Sequence, residues 1–153
     1  MQLSLHADYG LRVLLYLGSH PGETVSTQRI SDAYGISKNH LVRVMQTLGE
    51  HGYIKVIPGR AGGVTLAKRP AEIRLGEVVR NAEPTMDLVE CFDAPTNTCP
   101  IIHVCGLKSQ LAKALDAFIA ELNKSTLEDL MTPARRKSLA ATFVQLGPAP
   151  ASR

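Results

Sequence analysis

Apolar residues recur through the first half of the chain at intervals that a helix gathers onto one face. Residues 5 to 18 place Leu5, Tyr9, Val13, Tyr16 and Leu17 at near-helical spacing, and Gly18, His20 and Pro21 mark the end of that segment. A shorter helix is expected from Ser26 to Tyr34, with Ile30 and Ala33 inward and Gly35 placed to end it. Ser37 then stands where an N-cap belongs. Leu41, Val44, Met45 and Leu48 follow it at i, i+3, i+4 and i+7, in a helix that runs to about His51. Lys38, Asn39, His40, Arg43 and Gln46 give the opposite face a polar and basic character. After Gly52 the residues turn β-branched. Tyr53 to Ile57 and Val64 to Leu66 flank Pro58-Gly59-Arg60-Ala61-Gly62-Gly63, which predicts a β-hairpin with a glycine-rich, arginine-tipped loop. Helix, short helix, turn, longer helix and hairpin is the order of a winged helix-turn-helix.

The second half has a different grain. Arg74 to Arg80 predicts another short helix, and the segment from Cys91 to Cys105 reads mostly as loop. From Leu107 to Leu122 a long helix lines up Leu107, Leu111, Ala114, Leu115, Phe118 and Leu122, with Lys108, Lys113, Asp116 and Glu121 off the stripe. The helix is too polar outside that stripe for a buried core helix, so the stripe is assigned to a partner subunit, with simple core packing as the alternative. Ser125-Thr126-Leu127-Glu128 restarts a helix with a capping-box pattern. The fold expected is therefore mainly α with a small β-hairpin, a winged helix-turn-helix plus a long dimerisation helix. Its divisions are residues 1–82 for the DNA-binding unit and 83–106 for a cysteine loop. The long and short helices occupy 107–132, and a C-terminal tail takes 133–153, with the Pro/Ala/Ser composition of a frayed end from Gly147 onward.

Composition sets bounds on this picture. The 153 residues are 44% hydrophobic, ordinary for a globular chain. Arg12 interrupts the apolar run Leu11 to Leu17, which is far shorter than the roughly 20 residues that span a bilayer. No basic stretch with a cleavage site opens the sequence, so neither a signal peptide nor a membrane partner is expected, and a cytoplasmic location is. The net charge is only +3 but unevenly spread. Between Arg29 and Arg69 seven basic residues (Arg29, Lys38, Arg43, Lys55, Arg60, Lys68, Arg69) face only Asp32 and Glu50, a balance of +5. From Glu83 to Asp93 the sign reverses: Glu83, Asp87, Glu90 and Asp93 have no Lys or Arg between them, so that region faces something other than phosphate.

The basic region coincides with the winged helix, which makes double-stranded DNA the expected partner. In a helix-turn-helix the second helix enters the major groove with its N-terminal residues toward the base edges. Those residues are Ser37, Lys38, Asn39, His40 and Arg43. Asn39 suits adenine, Arg43 suits guanine or phosphate, and Arg60 at the wing tip suits a minor groove or phosphate. One such helix covers few base pairs, so a two-fold homodimer on an inverted repeat is expected.

Three cysteines stand in the acidic half, at Cys91, Cys99 and Cys105, with gaps of seven and five residues. Neither gap is the two-residue knuckle of a zinc ribbon. Loops of this length, stiffened by Pro95 and Pro100, can bring three soft thiolates to one iron-sulfur cluster. Three structural cysteines, or zinc with His103 as a fourth ligand, are the alternatives. A cysteine nucleophile has no accompanying phosphate loop, carboxylate pair or triad, and no enzyme is expected.

These features also resemble, over most of the chain, the iron-sulfur winged-helix repressors of the NsrR/IscR type. The resemblance rests on Leu5-His6-Ala7-Asp8-Tyr9-Gly10-Leu11-Arg12-Val13-Leu14, on Tyr34-Gly35-Ile36-Ser37, on Gly59-Arg60-Ala61-Gly62-Gly63-Val64-Thr65-Leu66-Ala67, and on the three cysteines. It implies a homodimer with the cluster near its interface, controlling how two recognition helices meet operator DNA. IscR-like members carry a histidine three residues after the last cysteine, where Lys108 stands here. NsrR-like members are closer. In them an aspartate of the first helix, matching Asp8, completes a 4Fe-4S cluster from the partner subunit, so 4Fe-4S is favoured over 2Fe-2S and nitric oxide is the implied signal. Asp8 also stands four residues before Arg12, the spacing of a helical ion pair.

Overall fold

The computed structural model describes residues 2–59 and 62–146. The first three helices each begin where a hydroxyl side chain precedes an apolar period. Ser4 caps α1 (Leu5–Ser19) by accepting from the Ala7 amide, Ser26 caps α2 (Thr27–Tyr34) through Arg29, and Ser37 caps α3 (Lys38–Glu50) through His40. Gly35 ends α2 at φ 65°, a left-handed conformation that an L side chain resists, and so sets the tight turn into α3. Strands β1 (Ile54–Ile57) and β2 (Gly63–Leu66) pair antiparallel with Ile54 opposite Leu66 and Val56 opposite Val64. Val25, ahead of α2, adds a bridge to Val64 through hydrogen bonds of 2.9 and 2.8 Å, tying the wing to the helix-turn-helix.

The core forms around α1. Val13, Leu14, Tyr16 and Leu17 pack with Ile30 of α2 and with Leu41, Val44, Met45 and Leu48 of α3, the four residues of the apolar period, all buried. Tyr53, Ile54 and Val64 close the wing side. Leu5 departs from the expected inward stripe: in the first turn of α1 it projects past the core and is 57% exposed.

Helix α4 (Leu75–Ala82) packs against α1 and α3, and α5 (Leu107–Leu122) packs against α4. Of α5 only Ile119 is buried; the stripe of Leu111, Leu115, Phe118 and Leu122 is half-buried, and Leu107 is 61% exposed. The contact is close because Gly76 has no side chain. A Cβ there would lie 2.5 Å from the Ile119 carbonyl oxygen and 2.6 Å from Asn123 Oδ1. Asn123 also accepts from the Glu77 amide at 2.9 Å, capping an α4 N-terminus whose own preceding residue, Arg74, supplies no cap. Backbone bonds Leu75 N to Ser125 O and Leu127 N to Ile73 O extend the seam.

Two differences from the sequence reading stand at the C-terminal end. The capping box of α6 (Leu127–Leu130) uses Thr126 and Asp129, one residue later than the pattern at Ser125, because the Ser125 amide still donates to Leu122 and belongs to the last turn of α5. Residues 133 to 146, placed within the tail by the sequence, form α7 (Pro133–Leu146). Its Phe143 ring sits 4.7 Å from Tyr16 and 5.2 Å from Tyr34. The residues from Gly147 onward lie outside the described residues. Among the described residues no helix is long and apolar enough to cross a membrane.

Because backbone and the Asn123 amide occupy the space beside Gly76, Gly76→Ala is expected to cost about 1–3 kcal/mol as overpacking. Urea unfolding at fixed protein concentration measures it; an unchanged midpoint would mean that α4 and α5 are less closely seated than described.

Candidate nucleic-acid interface and cysteine segment

The burial of Leu41, Val44, Met45 and Leu48 fixes the rotation of α3 and turns its other face to solvent. Ser37, Lys38, Asn39, His40, Val42, Arg43 and Gln46 are all exposed. Ser37 is partly committed, since its hydroxyl accepts from the His40 amide at 3.4 Å. The His40 ring leans on α1, 6.1 Å from the Tyr9 ring, and with Leu5, His6, Tyr9, Arg43 and Val44 lines a small cavity of about 160 Å³. Lys38, Asn39 and Arg43 make no side-chain hydrogen bond or ion pair among the described residues, which leaves them free for a ligand. Arg60 lies outside the described residues. A groove of about 580 Å³ runs between α3 and the wing, lined by Val42, Met45, Gln46, Val56 and Pro58 among others.

On α1, Asp8 is held by Arg12 in a two-point contact, Nη2 to Oδ2 at 2.8 Å and Nε to Oδ1 at 3.1 Å. The side chains are 37% and 42% exposed, so this pair contributes only a few tenths of a kcal/mol. The Arg12 guanidinium also lies 5.9 Å from the centres of the Tyr9 and Tyr34 rings. The Tyr34 hydroxyl donates to the Arg12 carbonyl at 3.1 Å, and burial pushes that hydroxyl's pKa up. Sequence spacing suggested the Asp8–Arg12 pair. Nothing local in the sequence indicated Tyr34, whose nearness to α1 is a product of the tertiary fold.

The cysteine segment carries one 3-10 turn, Glu90–Phe92, and is otherwise turns and bends. Cys91, Cys99 and Cys105 are all free thiols and partly buried. Thr98 clasps Glu90 from eight residues away, its amide and hydroxyl donating to the same Oε1 at 2.5 and 2.6 Å. Those bonds hold the Glu90 carboxyl below the usual carboxylate range. Asp93 likewise accepts from the Thr96 hydroxyl, and Asn97 from the Cys99 amide. Among the described residues, the hydrogen bonds of 84–106 stay within that stretch and the first turn of α5. The segment's link to the rest of the fold is apolar: Met86 and Leu88 line a cavity with Leu115 and Phe118 of α5 and with Leu3. The three thiols lie on one loop without meeting: among the described residues no group of three or more His, Cys, Asp or Glu is placed to share a metal ion. The donor set is nevertheless of the right kind for iron-sulfur ligation, three soft sulfurs within one loop.

A winged helix-turn-helix with a free, basic second helix defines a DNA-binding transcriptional regulator rather than an enzyme. The chain belongs to the Rrf2 family of iron-dependent transcriptional regulators, whose profile matches residues 3–133. It is 48% identical over 132 residues to the HTH-type transcriptional regulator NsrR of Bacillus subtilis, covering 86% of this chain and 90% of that protein. It is 47% identical over 133 residues to the NsrR regulator of Halalkalibacterium halodurans, covering 86% and 91%. Among solved structures it is similar to CymR, the global cysteine regulator of B. subtilis, with a TM-score of 0.68 at 26% identity over 86% of this chain and 96% of that one. T. potens IscR shares the fold, with a TM-score of 0.69 at 24% identity over 88% of each chain.

Lys38→Ala and Arg43→Ala are each expected to weaken DNA binding and to flatten its salt dependence by about one counterion per lost phosphate contact. Unfolding midpoints should stay within about 0.5 kcal/mol of the native protein, since both side chains are solvent-facing. Ser37→Ala should differ, lowering stability by about 1 kcal/mol through loss of the α3 cap. Fluorescence anisotropy over a salt series, beside chemical denaturation, separates the two behaviours. Full affinity in both Lys38 and Arg43 variants would remove α3 from the interface.

Proposed function

We propose that this regulator is a homodimeric repressor that binds an inverted-repeat operator in the cytoplasm and releases it when nitric oxide damages an iron-sulfur cluster. The observation that carries the reading is the set of three free, partly buried cysteines between residues 91 and 105, on one loop, in a chain of the Rrf2 family. Support for the particular signal comes from the NsrR regulators it resembles.

Cys91, Cys99 and Cys105 supply three ligands, and Asp8 from the partner subunit supplies the fourth, to a 4Fe-4S cluster in preference to 2Fe-2S. When bound, that cluster supplies iron reactive toward nitric oxide. The chain's own residues do the rest. The Asp8–Arg12 pair is weak enough to open at small cost, which frees a hard carboxylate as the most exchangeable of the four ligands. Since α1 forms the core with α3, a restraint on Asp8 is a restraint on the recognition helix. The half-exposed stripe of α5, from Leu107 to Leu122, packs against its counterpart in the second subunit and sets the separation of the two α3 helices. At the operator, Ser37, Lys38, Asn39, His40 and Arg43 face the major groove, and Arg60 reaches the backbone or minor groove from the wing. A coupling of about 1–3 kcal/mol between cluster and operator gives a 5- to 150-fold change in affinity.

Native mass spectrometry of protein purified without oxygen, during titration with nitric oxide and with operator binding followed on the same samples, tests this. The expected result is a dimer with 4Fe-4S per subunit that loses cluster as DNA affinity falls. A dimer without iron whose DNA binding ignores nitric oxide leaves a regulator that uses its cysteines as thiols or zinc ligands. Asp8→Ala should retain a cluster that a chelator strips faster; an unchanged stripping rate and an unchanged nitric-oxide response would remove Asp8 from the ligand set.

A further inference from the structure

The solvent face of α3 contains one residue that does not belong on a merely solvated surface. Asn39, Val42, Arg43 and Gln46 stand at i, i+3, i+4 and i+7, so they form one strip along the helix. Three of them are polar, and the fourth, Val42, is 57% exposed. Its isopropyl group is not needed for the core, which the buried strip of Leu41, Val44, Met45 and Leu48 already fills. Nor does it favour the helix, since a β-branched residue is a poorer helix former than alanine or the long polar residues around it. Val42 lies between Lys38, one turn before it, and Gln46, one turn after, and Arg43 follows it along the helix. Across the groove it shares with the wing stands a second exposed valine, Val56, at 66%. An apolar group framed by cations and amides matches one chemistry on the edge of a base pair in the major groove. That group is the C5-methyl of thymine, the one apolar group displayed there.

We propose that Val42 reads sequence, packing its isopropyl group against the C5-methyl of a thymine once in each half-site. This rests on α3 occupying the major groove and adds a named base contact to it. Val42 then supplies what Asn39 and Arg43 cannot, a discrimination between thymine and cytosine that needs no hydrogen bond. The cationic neighbours place the valine, because their contacts with the DNA fix the depth and register of the helix in the groove.

Deoxyuridine differs from thymidine by the methyl alone, which makes the test direct. Duplexes are selected from a random pool by the native protein, then resynthesised with deoxyuridine replacing thymidine at one position of each half-site at a time. At one position the native protein is expected to lose about fourfold in affinity per half-site, the effect of one methyl removed from contact. Val42→Ala should bind the thymidine and deoxyuridine duplexes alike, and Val42→Thr, which keeps one methyl, should fall between. A native protein indifferent to every substitution, or a Val42→Ala protein as sensitive as the native one, overturns the proposal. Asn39→Ala on the same duplexes tells the two failures apart. If it weakens binding, the valine contact alone is wrong; if it changes nothing, the placement of α3 is wrong as well.

Discussion

The contact between α4 and α5 at Gly76 is the constraint on which the arrangement of this protein turns. Helix α4 is seated on α1 and α3, so whatever is fixed to α4 is fixed to the recognition helix. Removing a side chain at one position lets the Ile119 carbonyl and the Asn123 side chain come up against the α4 backbone, and Asn123 completes the helix end that Arg74 leaves open. The long helix is thereby held in a defined pose relative to the DNA-reading face, even though little of it is buried. The exposed face of α3 and the half-buried stripe of α5 are joined by packing too close to slip.

Much of this was legible from residue pattern because the relevant physics is local. Ser4, Ser26 and Ser37 announce their helices through a hydroxyl that satisfies a first-turn amide, and the period of Leu41 to Leu48 fixes which side of α3 meets water. What escaped the pattern depended on partners far away in sequence. Helix α7 sets Leu139 and Phe143 against the core while Val144 is exposed, a weak periodic signal, and its packing depends on the aromatic rings of Tyr16 and Tyr34. Its one local cue was Thr132-Pro133, a capping hydroxyl before a first-turn proline. Asn123 was equally silent, since an asparagine after a helix reads as a stop and not as a cap for another helix 46 residues earlier.

Charge divides the molecule along the same line as structure. The basic stretch from Arg29 to Arg69 spans α2, α3 and the wing, where Lys38 and Arg43 make no ion pair among the described residues. The acidic stretch leads into the cysteine loop, where carboxylates are spent on the loop itself: Glu90 on Thr98, Asp93 on Thr96. In the first region Arg29 and Arg69 are paired with Glu23 and Glu72 while Lys38 and Arg43 face solvent, and in the second region charge organises a local turn.

The cysteine loop keeps its hydrogen bonds to itself, while the elements it joins, α4 and α5, are already fastened by the seam from Ile73 to Leu127. The chain therefore behaves as two pieces stitched together independently of the thread between them. A cut within that thread would leave the backbone bonds of the seam in place, because none of them runs through the loop. Evolution could thus rewrite the spacing and identity of residues in the loop to suit one chemistry or another while the DNA-reading half stayed as it was.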